Sequence, residues 1–141
     1  MTHEDLDGKW REPAIRVLMM PRDTNAHGTI FGGVILSYID QAGAIEARRQ
    51  GLQMMVTVSM DKVVFHEPVF VGDLMSFWTE TLRIGTTSIT TKVVVEAIRG
   101  GDPSQRVVVT EAQVVYVNIG ADRKPEAIER KLTAYSGRTE S

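Results

Sequence analysis

Asp40 is the side chain in this sequence best placed to do chemistry. It stands inside GGVILSYIDQAG, an otherwise apolar run. A carboxylate in apolar surroundings is costly unless it is partnered or used, which makes Asp40 a candidate general base or nucleophile. An aspartate that faces solvent or caps a loop is the plainer alternative. Just upstream, Asn25, His27 and Thr29 lead into Phe31-Gly32-Gly33. Adjacent glycines at a helix start admit close approach to the backbone. The free N–H groups there, with the helix dipole, favour a negative charge. That charge could be a phosphate or a developing oxyanion, although a plain tight turn would also use a Gly-Gly pair. There is no GxGxxG, and no Lys follows the glycines, so neither a dinucleotide fingerprint nor a P-loop is indicated. His27 lies in a polar loop, where a solvated role is ordinary; His3 and His66 have weaker claims. No His, Asp and Glu spacing suggests a metal site. Ser37, one turn before Asp40, has no GxSxG elbow around it and reads as packing.

The elements that must hold these residues can be read from periodicity. The apolar run AIRVLMM (14–20), closed by Pro21, predicts a strand, and PRDTNAHGTIFGG predicts a loop. From Gly33 to about Gln50 the chain is long, proline-free and rich in Ala, Ile and Leu. Gly51 follows as a C-cap, and Arg48 and Arg49 suit the negative end of the dipole. Its first three turns are apolar on nearly every side, as in a buried helix. Only the last turn and a half, from Glu46, is expected to be solvated, which leaves Asp40 the one carboxylate of the buried part. Runs rich in β-branched residues with period two then predict strands over 55–65, 73–82, 86–98 and 106–118. In the last of these Val108, Thr110, Ala112, Val114 and Tyr116 share a face. The connections EPVFVG, RIG and RGGDPSQ are short, so the strands should pair antiparallel. The organisation is an arm (1–13), one α+β domain (14–119) and a charged tail (120–141) with room for a short helix near 125–134. One helix this apolar needs a sheet curled about it or a second subunit over it, a physical hint of oligomerisation.

Composition narrows the function. The 141 residues are 43% hydrophobic with a net charge of −2. That fits one globular domain and gives no basic field for nucleic acid or an anionic membrane. There is no cysteine, so disulfides, thiolate metal sites and a cysteine nucleophile are excluded. The N-terminus MTHEDLDGKW has no apolar signal region, and no run is long enough to span a bilayer. The expected location is the cytoplasm.

PRDTNAHGTIFGGVILSYIDQAG closely resembles the signature of the YciA-like and brain-type acyl-CoA hydrolases of the hotdog superfamily. FHEPVFVGD (65–73) and RIGTTS (83–88) resemble that family's second and third stretches, and the likeness covers roughly residues 15–119. It implies a hotdog fold, a five-stranded antiparallel sheet wrapped around one long helix. It also implies acyl-CoA thioester hydrolysis, no cofactor beyond the CoA of the substrate, and a homo-oligomer built from dimers as a trimer of dimers. By motif, the family's catalytic acid matches Asp40 and its loop asparagine matches Asn25. The glycines at its helix start match Gly32 and Gly33. His27 and Phe31 become candidate substrate contacts. Many relatives have a basic residue where this chain has Glu67, a departure that bears on how the CoA phosphates are held.

A mechanism follows. A thiol leaves easily, with a pKa of about 8.5 for the cysteine side chain, so one carboxylate without a general acid suits a thioester. The carbonyl would sit over the Gly33 N–H, and Asp40 would activate water or attack directly. Asn25 would orient the water or the carbonyl, and the resemblance places Asn25 and Asp40 on different subunits. CoA would run along the outer strands past Arg83 and Gly85, Thr86, Thr87 and Ser88. Met54, Met55, Met60 and Trp78 are candidates for setting tunnel depth. Two other readings stand beside this one. A hotdog hydratase or dehydratase would need His27 near Asp40. A non-catalytic acyl-CoA binding module is the other, although thirteen leading residues are too few for an attached DNA-binding domain.

Overall fold

Five strands form one antiparallel sheet in the computed structural model, which describes residues 12–129. The strands are β1 (Ile15–Leu18), β2 (Met55–Phe65), β3 (Leu74–Ile84), β4 (Ser88–Ile98) and β5 (Arg106–Asn118), in the order β1-β3-β4-β5-β2. The helix α1 (Gly32–Arg49) packs on β3, β4 and β5. A single long helix cradled by a five-stranded antiparallel sheet is the hotdog arrangement expected from the sequence. The expected bounds of β2 and β5 match residue for residue, and the others differ by one or two residues at an end.

Alternation along the strands builds the core. Met75 and Phe77 of β3, Ile89, Val93 and Val95 of β4, and Ala112, Val114 and Tyr116 of β5 face the helix and are buried. Ile35, Ile39, Ala42 and Ala47 of α1 meet them. Helix and sheet approach most closely at Gly43. A Cβ there would lie 2.4 Å from the Tyr116 hydroxyl and 2.8 Å from Thr91 Oγ1, so only glycine fits. That approach lets the Tyr116 hydroxyl donate to the Asp40 carbonyl oxygen at 2.5 Å.

Three expectations need correction. Val108 does not share the buried face of β5. A register shift between Val95 and Glu96 puts two residues of β5 against one of β4. This turns Val109 inward at 0% exposure and leaves Val108 outward at 42%. The helix is not buried all round either, because one sheet covers only one side of it. Gly33, Ser37, Gln41, Ile45 and Arg48 form an exposed stripe. Nor is its last turn and a half solvated. Glu46, Arg49 and Gln50 are buried, and Glu46 rather than Asp40 is the fully buried carboxylate. Its oxygens accept from Arg49 Nε (3.3 Å) and Nη2 (3.1 Å), Thr79 Oγ1 (3.0 Å) and Thr81 Oγ1 (2.5 Å). These four bonds make burial of the charge tolerable.

After β5 the chain folds back. Ile119 bridges Pro125, Glu126 N–H donates to the Asn118 carbonyl, and Ile128 N–H donates to the Thr86 carbonyl. Residues 125–129 are not helical. The rest of the short helix expected near 125–134, and residues 1–11 of the arm, lie outside the described residues.

Candidate active site

The loop before α1 is built around Asn25. Its side-chain oxygen accepts from the His27 and Thr29 amides (2.8 and 3.2 Å), and its nitrogen donates to Thr29 Oγ1 (2.8 Å). Gly28, at φ +83°, closes the turn in a backbone region that favours glycine. The Ile30 amide donates to the Val69 carbonyl and the Phe31 amide to the Asp23 carbonyl, which fixes where the helix begins. Phe31 is the N-cap but offers no side-chain cap and is itself 53% exposed. No described group accepts from the Gly32 or Gly33 amides, so two donors of the first turn remain available. A Cβ on Gly32 would press on the Phe65 ring at 3.3 Å, whereas Gly33 faces open space.

Beside this helix start is a cavity of about 330 Å³, lined by Ile30, Gly32, Ile35, Phe65, His66, Glu67, Pro68 and Val69. Its floor is apolar. The connection that forms its rim is anchored at both ends. The His66 and Glu67 amides donate to the Val109 carbonyl, and the His66 ring pairs with Glu111 at 2.8 Å. Further on, Arg99 donates to the Pro68 carbonyl (2.8 Å), pairs with Asp73 (3.4 Å) and stacks over Phe70 at 4.9 Å.

Asp40 is half-buried on the side of α1 that meets β2 and β5. Its carboxylate accepts from Thr57 Oγ1 at 2.8 Å, and the Tyr116 hydroxyl stands within reach of it as well. Burial, helped by the Asp40 carboxylate, holds the Tyr116 hydroxyl far above the ordinary tyrosine range. Tyr116 therefore stays protonated and serves as a fixed donor, not as an acid or base. Neither Thr57 nor Tyr116 was singled out in the sequence. Each stood in a strand pattern with nothing to mark it as an aspartate's neighbour.

The structure does not bring all the expected residues together in one chain. Gly33 and Asp40 are seven residues apart, about 10 Å along the helix axis. His27 is exposed, and no described contact joins it to Asp40. Gly85 and Ser88 close the β3–β4 turn through the Gly85 amide. The Thr86 and Thr87 carbonyls are taken by Ile128 and Asn118, and Arg83 is exposed with no described partner. This turn lies near the Met55–Asn118 end of the sheet, whereas the cavity lies at the Phe65 end. The two are ten residues of β2 apart, roughly 30 Å along the strand. Near the β3–β4 turn, Gly51, Met54, Asn118 and the returning segment 119–129 enclose a second hollow of about 290 Å³. Among the described residues no group of three or more His, Cys, Asp or Glu could hold a metal ion, and no helix is long and apolar enough to cross a membrane.

Comparison with known proteins agrees with this geometry. Residues 27–104 match the family model described as Thioesterase superfamily. The acyl-CoA thioester hydrolase YciA of Salmonella typhimurium is 39% identical over 119 residues, 83% of this chain and 90% of that one. A hexameric hotdog fold thioesterase of Campylobacter jejuni superposes with a TM-score of 0.78 at 47% identity, over 84% of this chain and 90% of the other. A hexameric broad specificity acyl-coenzyme A thioesterase, solved as an aspartate-to-alanine variant, superposes with a TM-score of 0.82 at 32% identity, over 89% and 93%. The chain belongs to the thioesterase superfamily and, within it, to the hotdog-fold acyl-CoA thioester hydrolases of the YciA type.

Proposed function

We propose that this protein is an acyl-CoA thioesterase that hydrolyses acyl-CoA to a free acid and CoA. Asp40 supplies the general base or the nucleophile. The observation that carries this reading is the state of Asp40: half-buried, oriented by Thr57 and Tyr116, and with no cation paired to its carboxylate among the described residues. The uncapped amides of Gly32 and Gly33 suit a developing oxyanion. In the general-base route Asp40 takes a proton from water as the hydroxide adds to the thioester carbonyl. The tetrahedral intermediate then expels the CoA thiolate, which needs little help from an acid. Thiol release from a panel of short to long acyl-CoAs tests the reading. Steady release is the expected result, and silence across the whole panel from folded protein would overturn it.

Gly33 and Asp40 of one chain are too far apart to serve one carbonyl, since a hydrogen-bonded water spans only about 3 Å on either side. We therefore assign the site to two chains. One contributes its helix start and the Asn25 loop, and the other contributes Asp40. Ile45 on the exposed helix stripe, and Met54, Val56 and Val58 at the start of the open edge strand β2, are exposed apolar side chains that a second copy would cover. A cytoplasmic homo-oligomer built from such dimers as a trimer of dimers would have the six chains of the relatives described as hexameric. Mixing inactive Asn25→Ala and Asp40→Asn proteins under subunit exchange should restore about a quarter of the activity, because half the dimers then hold one intact site of two. No recovery despite proven exchange would place both residues in one chain's site.

A hydratase would need a histidine beside Asp40; within one chain no described histidine contacts it, and the two-chain site would bring the His27 loop of the second copy towards it, so an enoyl-CoA hydration assay separates the two readings. A bare binding module gives no reason for a half-buried carboxylate with no paired cation among the described residues.

A further inference from the structure

Glu67 lines the cavity at the helix start, and its carboxylate has no ion pair or hydrogen bond among the described residues. Its backbone, by contrast, is tightly fixed. Its amide and that of His66 share the Val109 carbonyl, the His66 ring is engaged by Glu111, and the next residue, Pro68, is held through its carbonyl by Arg99. The nearby basic groups are thus occupied elsewhere: His66 with Glu111, and Arg99 with Asp73, the Pro68 carbonyl and the Phe70 ring. The result is a negative charge on an anchored backbone, with no partner among the described residues, on the rim of a cavity whose floor is Ile30, Ile35 and Val69, all at most 5% exposed.

The cavity opens beside the Gly32 amide, where the proposed oxyanion would sit, so it is the natural place for the acyl chain. An apolar floor with a carboxylate at the rim is the wrong lining for the phosphates of CoA. It suits an uncharged acyl group.

We infer that Glu67 is a specificity-determining residue that selects uncharged acyl thioesters and rejects those whose acyl group ends in a carboxylate. The acyl end of a dicarboxylic thioester would bring a second negative charge onto the rim, where no cation compensates it. The cost is a like-charge repulsion, partly screened because Glu67 is exposed to solvent.

This inference rests on the thioesterase reading, and the experiment separates the two. The kcat/KM for pentanoyl-CoA and for glutaryl-CoA, which share a five-carbon acyl chain, is measured by thiol release for the intact protein and for Glu67→Gln and Glu67→Lys. Both substrates carry the same CoA, so the ratio cancels any effect of the substitutions on the CoA moiety or on the folded fraction. The intact enzyme should favour pentanoyl-CoA. Glu67→Gln should reduce that preference by about five-fold at low salt, and Glu67→Lys should reduce it further. The preference of the intact enzyme should also weaken as salt is raised. Thiol release from pentanoyl-CoA with the same substrate ratio in all three proteins would overturn the role of Glu67 and leave the thioesterase reading intact. No release from either substrate by an intact protein that hydrolyses other chain lengths would overturn the role of Glu67 at this acyl site, and silence across the whole acyl-CoA panel would overturn both readings.

Discussion

Helix α1 carries two carboxylates six residues apart, and their circumstances are opposite. Glu46 is 0% exposed and all of its neighbours are committed to it: Arg49 from the same helix, Thr79 and Thr81 from β3. Asp40 is half-buried on the side of α1 that meets β2 and β5, touched by the hydroxyls of Thr57 and Tyr116 and paired with no cation among the described residues. A fully satisfied buried charge fixes structure, because it has no lone pair to offer a substrate. A partly satisfied charge beside apolar walls can bind or activate something that is not part of the chain. Among the described residues the deepest carboxylate, Glu46, is therefore not the one proposed as catalytic.

Substitutions should divide along the same line. The largest effect is expected at Asp40, where Asn should lower kcat by about 10²–10⁴-fold with little change in thermal midpoint. Glu46→Ala should do the reverse. It removes the buried carboxylate to which Arg49, Thr79 and Thr81 donate and should cost about 3–5 kcal/mol of stability, read as a lowered denaturation midpoint, while the surviving folded protein keeps its turnover. A Glu46→Ala protein of undiminished stability would remove the structural half of the contrast.

Tyr116 sharpens the comparison through pH. Its folded pKa is raised above the ordinary tyrosine value of about 10, so its contribution to stability is whole below pH 10 and is lost as pH climbs above it. There the unfolded chain releases a proton that the folded chain retains. Unfolding free energy should fall by about 1.4 kcal/mol per pH unit on this account. Tyr116→Phe should flatten the alkaline limb by that slope, and an equally steep limb in the variant would show that Tyr116 is not shielded. The smallest effect is expected at Thr57. Thr57→Val removes one hydrogen bond to Asp40, for about 0.5–1.5 kcal/mol, a several-fold loss of kcat. An unchanged kcat would mean that Thr57 does not orient the carboxylate.

The contrast also marks what could be read from the linear chain. The bounds of β2 and β5 were legible because alternation of β-branched residues is a local signal. Asp40 was legible because it breaks an apolar run. Glu46 was not, because charged residues at a helix end look solvated, and the threonines that satisfy it are 33 and 35 residues away. Val109 replaced Val108 in the core through a bulge that alternation alone cannot foresee. The motif residues around Arg83 were recognisable as a set. Their distance from the helix start depends on the path of the strands across the sheet, which no motif records.

The most direct test is thiol release from pentanoyl-CoA by the intact protein and by Asp40→Asn, compared at equal folded concentration and equal oligomer mass. The account predicts robust release by the intact protein and a loss of about two to four orders of magnitude in the variant. Full turnover by Asp40→Asn would contradict it and move the catalytic carboxylate elsewhere.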